Sequence, residues 1–222
     1  MIDNTVTQLA FRARAATLSV ATTGSTTLSA SATGYARAAG SFVADGFVVG
    51  MELAASGFTV AGNNGPHVIA SVTALALSCT GCAIDGAAVG RTITVGLPGI
   101  LADENLTISP DPTRPYLEED YAPATNRGVT FPLQGGVVEE TGLYVLKWYG
   151  LANTGIASIR KGVDALKALF APGTTIASGP NTVYVRSDVG PWSSQLLPQG
   201  NGFTVCTLTV PWRARTSNTI AP

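Results

Sequence analysis

The segment from Gly142 to Phe170 restricts the possible folds more than any other part of the chain. Gly142-Leu-Tyr-Val-Leu-Lys-Trp-Tyr149 is dense in β-branched and aromatic residues and follows a glycine, the pattern of a strand. Asn153-Thr154-Gly155 then offers a helix N-cap. Ile156, Ile159, Val163, Leu166, Leu169 and Phe170 recur at helical spacing until Pro172-Gly173 stops the helix. Thr182-Val-Tyr-Val-Arg186 and Phe203 to Trp212 read as two further strands. A strand–helix–strand–strand block of this kind predicts an α+β module. No catalytic group stands out within it.

The same elements carry a resemblance. A Gly-x-Tyr-Val strand ending in Tyr149-Gly150 is followed by the Asn-Thr-Gly loop. The helix runs into Leu169-Phe-Ala-Pro-Gly-Thr174, and the last strand ends in Val210-Pro-Trp-Arg213. Together these look like the C-terminal half of tail terminator proteins of long-tailed bacteriophages. Pro112-Thr-Arg-Pro-Tyr-Leu117 and Val129-Thr-Phe131 resemble that family's first two core strands, so the likeness spans roughly residues 110–214. It implies an antiparallel or mixed sheet with flanking helices. It also implies a structural virion protein whose copies form a ring, with a hexamer expected, on the last ring of the tail tube. Such a ring would stop tube polymerisation and offer a docking surface to the neck, or head-completion, protein. Genome DNA would pass through its lumen without specific binding. The implied location is the tail–neck junction of the virion, and host cytoplasm during assembly.

Upstream, residues 3–16 read as a helix capped by Asp3 or Asn4. Val6, Leu9, Ala10 and Ala13 form its expected inner face, with Arg12 and Arg14 turned outward. Residues 17–39 are mostly Ser, Thr, Ala and Gly, a composition suited to thin strands or loops. Strand signals follow at 46–50, 51–53, 57–60, 67–72, 75–77 and 91–95, with a turn at Gly62-Asn-Asn-Gly65. Short strands at this spacing predict a small antiparallel sandwich or barrel. The expected organisation is a terminator-like domain from residues 1–18 and 97–222, with a β-module at 19–96 inserted into it. Residues 96–114, rich in Pro and Gly, mark the return linker.

Charged residues make up 12% of the chain against 45% hydrophobic, and the formal net charge is −1. Low charge with much Ala, Gly, Thr and Ser suits a protein that covers its surface with partners. A near-neutral balance argues against a dedicated nucleic-acid binder, which carries a basic face. The apolar stretch at 42–60 is broken by Asp45 and Glu52, well short of a membrane span. The first residues carry no secretory pattern, so a reducing cytoplasm is expected before assembly. Three cysteines, an odd count, do not suggest a disulfide framework.

Candidate chemistry is sparse. Cys79-Thr-Gly-Cys82 reads as a hairpin tip rather than a redox pair, because no strand-to-helix junction would lower a thiol pKa there. His67 and Cys206 are the only other histidine and cysteine, so a Cys3His zinc site is arithmetically possible, yet Cys206 falls in the other expected domain. His67 follows a turn and is expected at the surface or in a hairpin. No Gly-x-Ser-x-Gly accompanies it, which argues against serine–histidine chemistry. Asn105-Leu-Thr107 matches a glycosylation sequon without a secretory route. No cofactor, metal or catalytic site is expected, and the chain is not expected to be an enzyme.

The expected contact residues are Arg160, Lys161 and Lys167 on the helix, Trp192 in its loop, and Glu118 and Glu119 as a solvated rim or inter-subunit contact. Tyr144, Trp148, Phe170 and Trp212 are expected in the core. The rival readings are a tail tube or head-closure ring protein, and a minor tail or adhesion component whose β-module binds carbohydrate or host. Few aromatics on that module (Tyr35, Phe42, Phe47, Phe58) weigh against the adhesion reading.

Overall fold

The computed structural model describes residues 3–98, 100–102, 112, 114–128, 137–152, 156–178, 181–199 and 201–217. Helix α1 (Asn4–Ala16) begins at Asp3, whose carboxylate accepts from the Thr5 and Val6 amides at 2.9 and 3.1 Å. Its buried residues are Thr7, Phe11 and Ala15; of the expected Val6, Leu9, Ala10 and Ala13, Ala10 packs partly buried against the core, whereas Ala13 is exposed and Leu9 is 51% exposed. Phe11 decides the rotation. It is fully buried, with its ring 4.8 Å from Tyr144 and 5.8 Å from Phe170. The two arginines consequently turn inward. Arg12 Nε donates to Glu119 at 2.6 Å and Arg14 Nε to the Leu169 carbonyl at 3.0 Å.

Residues 21–95 form two antiparallel sheets of short strands. The elements are β1 (Ala21–Thr22), β2 (Leu28–Ser31), β3 (Gly34–Arg37), α2 (Phe42–Asp45), β4 (Glu52–Ser56), β5 (Gly65–Val68), β6 (Ser71–Val72), β7 (Ala76–Ser78), β8 (Asp85–Ala88) and β9 (Thr92–Val95). One sheet has the order β1-β9-β4-β5 and the other β6-β7-β3-β2-β8. Two expected strands are absent. Residues 46–50 instead follow α2, whose C-cap Gly46 has φ +100°, and Gly50 has φ +85°. Residues 57–60 lose their ladder to a side chain: Asn64 accepts from the Phe58 amide at 2.9 Å and donates to its carbonyl at 2.8 Å. The thin-looking stretch at 17–39 nevertheless buries Leu28 and Tyr35 completely. The Tyr35 hydroxyl donates to the Asn63 carbonyl at 2.7 Å, and burial pushes its pKa up to about 12.

The strand at 85–88, unforeseen in the sequence, supplies Asp85, which accepts from the Val60 amide at 2.9 Å and from Arg91 at 2.6 Å. The Val60 amide, followed by Arg91, holds this carboxyl below its ordinary range. A carboxyl whose folded pKa is depressed stabilises the fold above its unfolded pKa, about 3.9, and loses that stabilisation as pH falls through the folded value. Thermal melts should therefore show Tm falling from about pH 4 downward. Asp85→Asn should start lower and show a shallower acid slope. Equal slopes for the two proteins would remove Asp85 from the account.

The remaining elements are β10 (Ile100–Ala102), β11 (Tyr116–Gly128), β12 (Val137–Leu151), α3 (Ile156–Leu169), β13 (Thr175–Ser178), β14 (Asn181–Val185), β15 (Trp192–Ser193), β16 (Leu197–Pro198) and β17 (Phe203–Ser217). They form one sheet of order β10-β11-β12-β17-β14-β13, with β15 and β16 following β14 along the edge of β17 opposite β12. β12 and β17 pair antiparallel from Val137↔Ser217 to Leu151↔Phe203, so the segments 142–150 and 203–212 are neighbours in one sheet, as expected. β10 pairs parallel with β11 and makes a strand inside the expected linker. Residues 129–131, the 153–155 cap and the Asn105 sequon lie outside the described residues. The fold is mostly antiparallel sheet with few helices.

Along β12, Tyr144, Leu146 and Trp148 point to one buried face, which α3 covers with Ile159, Val163 and Leu166. Two glycines set how closely this helix lies. A Cβ at Gly162 would overlap the Trp148 ring, and one at Gly150 would overlap Ile159. On the other side of α3, Lys161 donates to the Asp45 carbonyl, and Arg114 lies 3.9 Å from Glu52. These contacts tie the long-stranded sheet and its helix to residues 42–56.

Candidate functional site

Successive side chains of a strand point to opposite faces, so the odd-numbered residues of β12 lie on the face away from α1 and α3. Leu143, Val145, Lys147 and Tyr149 are all half-buried there. β11 places Glu118 opposite Lys147 and Asp120 opposite Val145. Lys147 Nζ lies 2.7 Å from Asp120 and 3.5 Å from Glu118, while the Tyr149 hydroxyl donates to Glu118 at 2.9 Å. The bond to Asp120 leads the effects that raise the Lys147 pKa, and burial leads those that raise the Tyr149 phenol. Tyr116 stacks on Tyr149 with centroids 4.4 Å apart, and Phe203 meets Tyr116 edge-on at 5.2 Å. This face combines apolar side chains, an aromatic cluster and a small charge network.

The sequence-predicted contact residues scatter around this sheet. Glu118 belongs to the face just described. Glu119, one residue on, points the other way and is 1% exposed, bonded to Arg12. Its reading as a solvated rim or inter-subunit contact is therefore corrected: strand alternation sends it into the interior. Arg160, Lys161 and Lys167 are exposed on α3. Trp192 lies in strand β15 rather than a loop, pairs with Thr209 and is 43% exposed. Arg160, Val163 and Asp164 line a cleft of about 470 Å³ with Ser193–Leu196 and Cys206. The Cys206 thiol donates to the Ser194 carbonyl at 3.4 Å, and burial raises its pKa, as befits an inert thiol. Tyr144, Trp148, Phe170 and Trp212 are in the core, as expected.

The cysteine motif also differs from expectation. Cys79 and Cys82 are joined by a disulfide, and His67 lies half-buried beside them on β5, which forms a hairpin with β4, as expected of it. The three donor atoms lie within 4.8 Å of one another. Cys206 is not part of this group. No helix among the described residues is long and apolar enough to cross a membrane.

A sequence model for a family described as phage tail terminator protein matches residues 87–212, more than half of the chain. No curated protein matches. One solved structure aligns at 18% identity over 57% of this chain and 82% of its own, with a TM-score of 0.41, a likeness that carries no argument.

Proposed function

The chain belongs to the phage tail terminator family, and from that premise we propose that its copies close into a ring, six in number, that caps the tail tube. Membership makes it a structural protein of the phage tail and of the virion, a non-enzymatic kind of protein. The ring, its capping role and its docking to the neck are the proposal. Residues 1–18 and 97–222 are assigned to the terminator domain and 19–96 to an inserted β-module. Among the described residues, no ladder joins the strands of 21–95 to the long-stranded sheet, which supports that division.

The observation that carries the proposal is the face of β11 and β12 that no helix among the described residues covers. A closed ring needs two complementary patches per subunit, and a capping ring must not offer the next tube ring the surface it stacks on. Leu143, Val145 and Tyr149 supply apolar contact, with Lys147, Glu118 and Asp120 setting register. Arg160, Lys161, Lys167 and Trp192, on other faces, are assigned to the tube and neck partners. DNA passes through the lumen without specific contacts, in keeping with the formal net charge of −1.

Solution mass across concentration, with negative-stain images, tests this. Closed rings of one size that do not stack are expected, alone or on addition of tail tubes. Val145→Arg should leave the monomer folded, since Val145 is half-exposed opposite Asp120, yet shift the mass to free subunits. Long tubes would instead mark a tail tube subunit. A monomer unaffected by tail tubes would remove the ring reading, and rings indifferent to Val145→Arg would move the interface elsewhere.

A further inference from the structure

We propose that Cys79, Cys82 and His67 form a zinc site when the Cys79–Cys82 disulfide is reduced. His67 sits on β5 of the four-stranded sheet, whereas the cysteines follow β7 of the five-stranded sheet. His67 Nδ1 lies 3.1 Å from the Thr80 carbonyl and 4.0 Å from Cys82 Sγ. The three donor atoms fall within 4.8 Å of one another. In a tetrahedral zinc site with Zn–S of about 2.3 Å and Zn–N of about 2.0–2.1 Å, donors stand roughly 3.5–3.8 Å apart. The cluster is thus within a small side-chain adjustment of zinc geometry.

Nδ1 is the ring nitrogen that faces the sulfurs, so binding the ion there places the imidazole proton on Nε2 and takes Nδ1 from its contact with the Thr80 carbonyl. Gly81, at φ +83°, turns the chain between the two cysteines, and a Cβ there would already sit 4.0 Å from His67 Nδ1.

The chemistry balances as two steps. A dithiol reductant gives two electrons and two protons to the S–S bond, yielding two protein thiols and the reductant's own disulfide. Zn²⁺ then displaces both thiol protons to solvent and binds two thiolates, the neutral His67 imidazole and a water molecule. Oxidation reverses this and releases the ion. With metal bound, the site would clasp the two sheets together in a reducing compartment, whereas the disulfide closes only the local turn after β7.

The test uses the full chain, reduced with dithiothreitol and freed of reductant without air. Added Co²⁺ should give one thiolate-to-metal absorption band per chain, bleached by one equivalent of Zn²⁺. Reoxidation should abolish binding. His67→Ala should weaken Co²⁺ binding at least tenfold, and a Cys79→Ser, Cys82→Ser double variant should lose the band. Circular dichroism confirms that each variant is folded; should either unfold, the reduced-against-oxidised comparison on the unaltered chain decides alone. A reduced chain that binds Co²⁺ without a thiolate band, or no better than the oxidised chain, would overturn the proposal. So would a disulfide that dithiothreitol cannot open in the folded protein.

Discussion

Gly162→Ala should destabilise the protein, although alanine is the better helix former. By propensity alone the change gains about 1 kcal/mol in an exposed helix interior. Here the added methyl meets the Trp148 ring at overlap distance, and Trp148 is itself 3% exposed with no room to retreat. Overpacking of a dense interior costs about 1–3 kcal/mol, enough to reverse the sign, and Gly162→Leu should exceed it. Gly162 is thus a packing residue, and its absent side chain lets α3 lie flat on the sheet. Urea denaturation of both variants checks this, with Ala168→Gly on the exposed side of the same helix as the control. That control should cost about 1 kcal/mol by propensity. A more stable Gly162→Ala protein would mean that the helix stands further from Trp148 than described.

The second large effect is expected at Arg12. Its guanidinium donates to Glu119 at 2.6 Å, and the Glu119 side chain is fully inside while that of Arg12 is 29% exposed. Tyr144 stands close by, its phenol pushed well above the ordinary range by burial first and by the Glu119 carboxylate second. Taking one partner from a buried ion pair costs about 3–5 kcal/mol, because the remaining charge stays in a poor solvent. The partial exposure of Arg12 places Arg12→Ala at the lower end, about 3 kcal/mol. Adding Glu119→Gln to Arg12→Ala should recover more than about 1 kcal/mol, the coupling expected of residues in direct contact. Strict additivity of the two changes would show that the pair is not the source of the loss. Because this pair pins α1 to the long-stranded sheet, its loss would also loosen the N-terminal helix before the sheet itself.

The first of these effects sits in the part of the chain that reads most clearly from sequence. β12, α3, β14 and β17 follow from alternation, helical spacing and stop signals, because those patterns come from the same local geometry that builds the elements. The resemblance to the tail terminators rests on them, and the family match covers the same region. Residues 21–95 read less well. Their strands are two to five residues long, and one ladder was displaced by the Asn64 side chain, which no periodicity reveals. Strand β8 carries Asp85-Gly-Ala-Ala88, with no β-branched residue to announce it.

The candidate surface divides in the same way. Sequence alone marked Glu118 and Glu119 as a pair. Only the register of β11 against β12 separates them, one to the open face and one to the interior, since a strand reverses direction at every residue. Sequence also turned Arg12 and Arg14 outward, because charge favours water until a partner is known. It could not bring His67 to Cys79 and Cys82, which belong to different sheets. What the amino-acid order determined by itself was what neighbours in the chain decide: the long strands, the helix and its stops. What the tertiary structure decided was which faces meet. That depends on contacts between residues far apart in sequence, and no local pattern encodes them.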